Sequence, residues 1–467
     1  MDAHGELAEV QGRVAVPRRV LLLALVAVAL TMAYAAYLQP GWESYRDDQR
    51  QYIQLAQRLV ERGEFTRAPV GEAFVPEPLR TPGYPLLLAP LCATVGCGHW
   101  QIAIAQAIAF GLVVVLVYLF VRRLAPDLAF AAAAACAFYL PIAYYAALAL
   151  SDFAATAVMV LAMVLVARAR SLPAALGAGA VLGFVTLVRP QFALFPLAAA
   201  AAILLAREDR SARERVRPVL AILAAAALVL VPFSAYSFTF FGAPFSSSSG
   251  WVLWNGYFQG RGSDAQGIAA FRDRALGGAA DAEVVASGAG VGLDPVESVQ
   301  AAGAFREIAA FEAITDRRAQ AYAWLDLDRS LARRATTLIA HDPIGWAERG
   351  ITFRSIELWA GEIPMRVDDF HLLPALPRLV SMAVQLVLFV AGVAGAVLLA
   401  LRRDRGGLLV AAVILYTWFE SIVFVTEPRY SLPARPALVI AAVYAVAAYA
   451  SSRLGYQKAR AARTVAA

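Results

Sequence analysis

The chain has 467 residues, 60% of them hydrophobic and 16% charged, with a formal net charge of +6. A water-soluble domain carries about a quarter charged residues, so this composition argues against an ordinary soluble enzyme or binding module. The arginines gather in small groups at the ends of apolar runs, a pattern that speaks for membrane topology and against a nucleic-acid surface.

The first apolar run, residues 20–38, holds no charge and is long enough to cross about 30 Å of hydrocarbon. No small-x-small site precedes the polar stretch after it, so it reads as a retained span and not as a cleaved signal. Nine further candidates follow at residues 102–121, 128–148, 153–167, 174–188, 192–206, 219–236, 379–401, 408–425 and 436–449. Backbone polar groups inside lipid must be satisfied within the segment, so these runs are expected to be helices. The expected fold class is an all-α polytopic membrane protein with about ten transmembrane helices.

Directly after the first run comes SYRDDQRQYIQLAQRL, residues 44–59. On a helix, Asp48 shares a face with Tyr52, Leu55, Ala56 and Leu59, whereas Asp47 shares one with Gln51, Gln54 and Arg58. Asp48 is therefore the carboxylate pushed toward the buried side of an interfacial helix, and Asp47 is the one expected to face water and cap it. Both acids could equally do no more than charge a helix start. Cys92 and Cys97 fall on the predicted outer side, where a disulfide between them is left open, and Cys136 lies in a span as packing.

Three regions are expected. Residues 1–236 form an N-terminal transmembrane module that includes a first extracytoplasmic loop at 39–99. Residues 237–378 form a large outer loop, and 379–467 form the last spans with a cytoplasmic tail. In the large loop, GGAADAEVVASGAGVGLDPVES reads as a flexible insertion, whereas Trp324, Leu325, Leu331, Leu338 and Ile339 repeat at helical spacing and suggest a small helical outer domain. Arginine placement puts both termini in the cytoplasm of a bacterial-style inner membrane, with both loops outside. Several polar residues carry two readings. Asp152 opens a span after Ser151, either as a site acid or as part of a helix cap. Glu420 lies inside a span, where an ionisable group is a functional hypothesis or a partner for a neighbouring helix. Asp368, Asp369 and His371 cluster without a metal-binding spacing and read as solvated loop. Trp251, Trp254 and Tyr257 suit stacking on a sugar or prenyl chain, or an interfacial belt.

The pattern DDQRQYIQLAQRLVERGEF…PLRTPGYPLLLAP resembles the first outer loop of the GT-C superfamily of integral membrane glycosyltransferases, which includes the protein O-mannosyltransferases and the lipid A aminoarabinose transferases. Asp48, Tyr52, Gly63, Arg80, Pro82, Tyr84 and Pro85 stand where that pattern has its elements. LGFVTLVRPQFALFPL with Arg189, GAPFSSSSGWVLWNG, and EPRYSLPARPAL with Arg429 and Tyr430 resemble later elements in the same order. Two departures stand out: Gln49 follows Asp48 where many relatives have Glu, and residues 232–237 read PFSAYS without the usual arginine.

The resemblance implies an inverting glycosyltransferase that moves a sugar from a polyprenyl-phosphate donor to an acceptor hydroxyl outside the cytoplasm, the acceptor being glycan, lipid or protein. It makes Asp48 the general base, since a carboxylate in reach can take the acceptor proton. Arg80, Arg189 and Arg429 are candidates for the departing phosphate, since guanidinium forks suit phosphate oxygens. They also suit plain contact with lipid headgroups. Asp47, Tyr52, Tyr84, Asp152 and Tyr430 complete the expected substrate-binding set. No cofactor is specified, and a divalent metal is left open. The rival readings are a lipid-linked sugar transporter or flippase, and a polymerase or ligase of lipid-linked glycans.

Overall fold

A computed structural model of the chain describes residues 16–38, 46–207, 211–245, 248–261, 265–360 and 375–466. Among these residues every regular element is a helix. Helix α1 (Arg18–Leu38) is the first span. The amphipathic α2 (Arg46–Arg62) has Asp47 and Asp48 in its first turn and Arg62 in its last, which complements the helix dipole. Gly63 ends it at a φ of 67°, a conformation that glycine adopts without strain. Helix α3 (Gly83–Thr94) leads through a loop closed by a Cys92–Cys97 disulfide to α4 (His99–Leu124), a second span.

The run expected as a single span at 128–148 is broken. Helices α5 (Ala129–Ala137) and α6 (Leu140–Ala146) meet at a bend of 52°. Pro141 in the first turn of α6 has no backbone N–H to continue an α-ladder, so the bend falls where the sequence changes from alanine to aromatic and proline. Next come α7 (Ser151–Arg168), α8 (Leu172–Val188), α9 (Phe195–Leu205) and the 30-residue α10 (Ala212–Phe241). Helix α8 lies against α10, and Gly179 and Gly183 make that approach possible. A Cβ at either would overlap the backbone of Ile222 or Ala226, the small-xxx-small logic of helix packing in lipid.

The outer segment is helical throughout its described part: α11 (Ser249–Phe258), α12 (Ala265–Leu276), α13 (Asp281–Ala289), α14 (Pro295–Glu312), α15 (Arg317–His341), α16 (Pro343–Arg349), a π turn at Gly350–Arg354, and α17 (Ser355–Ala360). It has its own core, in which Trp254, Tyr257, Phe271, Val284, Leu331 and Leu338 meet. The Gly/Ala-rich stretch read as a flexible insertion is thus ordered as α13 and the start of α14. Asp294 and Glu297 form a capping box at the latter, and Val284 and Ala301 supply core contacts. Trp254 and Tyr257 are buried in that core and Trp251 packs on Trp324, so these aromatics do not face a ligand space.

The chain returns through α18 (Ala375–Arg402), α19 (Arg405–Val423), a 3-10 segment at Pro428–Ala434 and α20 (Arg435–Ala466). Two fully buried arginines fasten this end. Arg354 donates to the carbonyls of Gly256 (2.6 Å), Trp346 (2.9 Å), Ser421 (3.1 Å) and Ile422 (2.6 Å), tying the outer helices to the last turn of α19. Arg435 donates to Ser431, Gln385 and the carbonyls of Leu358 and Trp359 at 2.7–3.1 Å. Buried charges of this kind are tolerated only when such partners surround them.

Among the described residues seven helices are long and apolar enough to span a membrane, or eight if α5 and α6 count as one. The expected ten exceeds this because α8 has 17 residues and α9 only 11, separated by Arg189 and Pro190.

Candidate active site

The helix-face expectation for α2 holds. Tyr52, Leu55 and Ala56 are buried, Asp48 is partly buried beside them, and Asp47 is exposed. Asp47 sits inside the first turn and not at the cap. Gln49 is buried too, and its Oε1 accepts the Ala149 N–H at 2.9 Å, anchoring α2 to the loop before α7.

Both oxygens of Asp48 are engaged by guanidinium groups. Arg80 pairs with Oδ1, and Arg429 donates to Oδ2 at 2.9 Å. Arg80 is held in place by its own turn. The buried Glu77 accepts the N–H groups of Leu79 (2.9 Å) and Arg80 (3.2 Å), and Arg80 Nε donates to Gln51 at 2.9 Å while its guanidinium lies 5.0 Å from the Tyr52 ring centroid. Arg429 comes from the 3-10 segment, where Glu427 takes its Nε at 2.7 Å. Burial pushes the Asp48 carboxyl up, but the two guanidiniums outweigh it and hold Asp48 below the usual carboxylate range.

A second ion pair stands beside the first. Asp152 in the first turn of α7 pairs with Arg189, which closes α8 just before Pro190. The helix cap is Leu150, so neither Ser151 nor Asp152 serves as one; Ser151 Oγ lies 3.0 Å from the Tyr52 hydroxyl instead. Arg189 Nε donates to Gln191 Oε1 at 2.9 Å. The Tyr430 ring is contacted by both cations, Arg189 at 4.8 Å and Arg429 at 5.5 Å from its centroid, so one aromatic side chain braces the two phosphate candidates.

These groups line one cavity of about 430 Å³, which collects Asp48, Tyr52, Arg80, Asp152, Arg189, Arg429 and Tyr430 from five separate stretches of chain. Two expected members are not in its wall. Asp47 faces away, and Tyr84 is buried behind Tyr52 in an edge-to-face contact of 5.1 Å with its hydroxyl on Gln106. Glu420 does line the cavity. Gln191 and Glu427 were not singled out from the sequence, although each lies within two residues of a motif arginine and orients it. Asp368, Asp369 and His371 lie outside the described residues.

Residues 78–237 match a family profile described as dolichyl-phosphate-mannose-protein mannosyltransferase. The match contains Arg80, Tyr84, Asp152 and Arg189, and it includes neither Asp48 nor Arg429. The oligosaccharyltransferase AglB of Archaeoglobus fulgidus, in complex with an inhibitory peptide and a dolichol-phosphate, superposes on 95% of this chain with a TM-score of 0.51 at 13% identity. The fold is GT-C. The same archaeal enzyme in complex with Zn and sulfate gives a TM-score of 0.51 at 14% identity over 96% of this chain. The chain spans about half the length of those enzymes, since 51% of each is covered. A comparison with proteins of curated function finds no match.

The described residues of the site do not fit a metal ion. Among the described residues no three His, Cys, Asp or Glu side chains converge as ligands, and both oxygens of Asp48 and Oδ1 of Asp152 face guanidiniums. Gln49, next to Asp48, spends its oxygen on a backbone amide.

Proposed function

We propose that the protein is an inverting glycosyltransferase that moves a sugar from a polyprenyl-phosphate donor to an acceptor hydroxyl on the extracytoplasmic face of the membrane. The observation that carries the reading is the clamping of Asp48 between Arg80 and Arg429 at a cavity that also holds Arg189. The donor phosphate enters as a competing anion for Arg429 and Arg189, and one Asp48 oxygen is thereby freed for the acceptor. The acceptor oxygen attacks the anomeric carbon and its proton passes to Asp48. The bond from the anomeric carbon to the phosphate oxygen breaks, and the polyprenyl phosphate leaves with the electron pair against the guanidiniums. A single base and an in-line attack give inversion. The low affinity of Asp48 for protons keeps it ionised and ready near neutral pH.

A cavity of about 430 Å³ is of small-molecule size, which favours one sugar over a long glycan. The arginine pattern supports an inner-membrane protein with both termini cytoplasmic and the cavity outside. The test is transfer by the purified protein in nanodiscs from a panel of polyprenyl-phosphate monosaccharides and a lipid-linked oligosaccharide. Asp48→Asn is expected to lose transfer by about 10²–10⁴-fold, with Asp47→Asn close to wild type. Full activity in Asp48→Asn sinks the assignment of the base. Turnover of the oligosaccharide carrier alone would put a ligase in its place, and movement of the lipid-linked sugar between leaflets without transfer would put a flippase there.

A further inference from the structure

The same cavity has a polar wall that neither ion pair uses. On α19, Thr417, Glu420 and Ser421 share a face, and Thr426 follows just beyond the helix; all four line the cavity. Three of their side-chain oxygens are buried with no hydrogen-bond partner: Thr417 Oγ1, Glu420 Oε2 and Thr426 Oγ1. Ser421, by contrast, satisfies itself on the Trp418 carbonyl at 2.7 Å. Tyr416, one turn before Glu420, is in hydrogen-bond reach of its carboxyl, but the same hydroxyl also meets the Gln191 carbonyl at 2.6 Å and the Leu194 N–H at 3.3 Å, and Glu420 Oε2 is left without a partner. Buried polar atoms are nearly always paired, and three orphans on one cavity wall call for a ligand that brings its own hydrogen bonds.

The parts of a polyprenyl-phosphate sugar differ in how they would meet this wall. A prenyl chain offers no hydrogen bonds and would leave all three oxygens orphaned. A phosphate gains nothing from a carboxyl and is drawn to the guanidiniums of Arg189 and Arg429 in the same cavity. A ring bearing several hydroxyls fits, because each hydroxyl both donates and accepts, two threonines do the same, and a carboxylate accepts. Resting on the reading of this cavity as the donor site, we propose that Thr417, Glu420 and Thr426 form the subsite for the transferred sugar, and that this sugar is a neutral monosaccharide with at least two free ring hydroxyls. A uronic acid would bring a second carboxyl against Glu420 and is rejected. Such a polar seat discriminates strongly, because a substrate without the matching hydroxyl leaves the buried groups unpaired.

The test is a binding measurement that does not depend on transfer. Farnesyl phosphate and farnesyl phosphates carrying glucose, mannose, galactose, arabinose or glucuronic acid are titrated against the full-length protein in nanodiscs. At least one neutral sugar is expected to tighten binding over farnesyl phosphate alone, and glucuronic acid is not. Glu420→Leu is expected to remove about tenfold or more of that sugar-dependent gain, with affinity for the bare phosphate unchanged and partial recovery in Glu420→Gln. The double variant Thr417→Val/Thr426→Val is expected to reduce the gain as well, and it decides the matter if Glu420→Leu fails to fold. Equal binding of bare and sugar-bearing carriers by the wild type, preference for glucuronic acid, or an undiminished gain in the variants overturns the subsite. Glu420-dependent sugar binding without any transfer would leave the subsite standing and overturn the catalytic reading.

Discussion

The Asp152–Arg189 pair offers a way to separate holding the fold from holding a phosphate. The side chains are 2% and 12% exposed, so the pair is effectively buried. Removing one partner leaves an uncompensated charge, which is expected to cost about 3 kcal/mol in Asp152→Leu and more in Arg189→Leu. The double replacement removes both charges. What it still loses is the stacking of Arg189 on Tyr430, about 2 kcal/mol for a desolvated contact, and the Arg189–Gln191 hydrogen bond, about 1 kcal/mol. The double variant should thus lie near about 3 kcal/mol, well short of the sum of the singles, because Arg189→Leu already bears those two losses and the second replacement relieves its uncompensated charge. Thermal unfolding in nanodiscs measures that coupling. Transfer then splits the roles: Arg189→Leu and the double variant should both lose roughly 10²–10³-fold if Arg189 meets the leaving phosphate. Stability losses that simply add would refute the coupling, and recovery of transfer in the double variant would refute the phosphate role.

Three further outcomes are expected. Because Asp48 is held below the usual carboxylate range, its contribution to stability is present above the unfolded carboxyl pKa and lost as pH falls through the folded one. The acid limb of kcat/KM should accordingly lie below the usual carboxylate range, and Arg80→Gln should move it upward; an unmoved limb would mean that Arg80 does not tune Asp48. In Gly83→Ala the new Cβ would overlap the backbone of Leu187 and Val188, immediately before Arg189. Overpacking there should cost about 1–3 kcal/mol and depress transfer more than the shift in Tm explains, which paired melting and transfer assays can read. Arg354→Met strips donors from four carbonyls, two of them in the last turn of α19, and should cost about 3–5 kcal/mol by thermal unfolding, with Arg354→Lys recovering part.

The long spans and the buried face of α2 were legible in the sequence because lipid and a 3.6-residue period impose simple patterns on composition. The ten-span expectation came down to seven or eight because hydropathy registers greasiness and not length, and the chain breaks at Pro141 and at Arg189–Pro190. The order of α13 was hidden because alanine and glycine are equally at home in a linker and in a tightly packed small helix. At the site, Asp48, Arg189 and Arg429 were readable through their motifs. Their mutual arrangement was not, since Asp48 and Arg429 are 381 positions apart and meet only when the first and last parts of the chain close on each other. Tyr84 was misplaced because a motif tyrosine looks the same whether it faces the cavity or supports Tyr52 from behind.

The shortness of α9 bears on the surrounding lipid. Eleven residues rise about 16 Å, little more than half of a hydrocarbon layer of about 30 Å, yet Leu197, Leu204 and Leu205 on this helix are exposed. A bilayer meeting so short a greasy face must thin or dip to avoid mismatch. The dip would lie beside the 3-10 turn at Pro190–Phe192 that joins α9 to Arg189. A lipid carrying its phosphate in the headgroup layer would be lowered toward the guanidiniums without leaving the membrane, and transfer should run faster in short-chain than in long-chain bilayers.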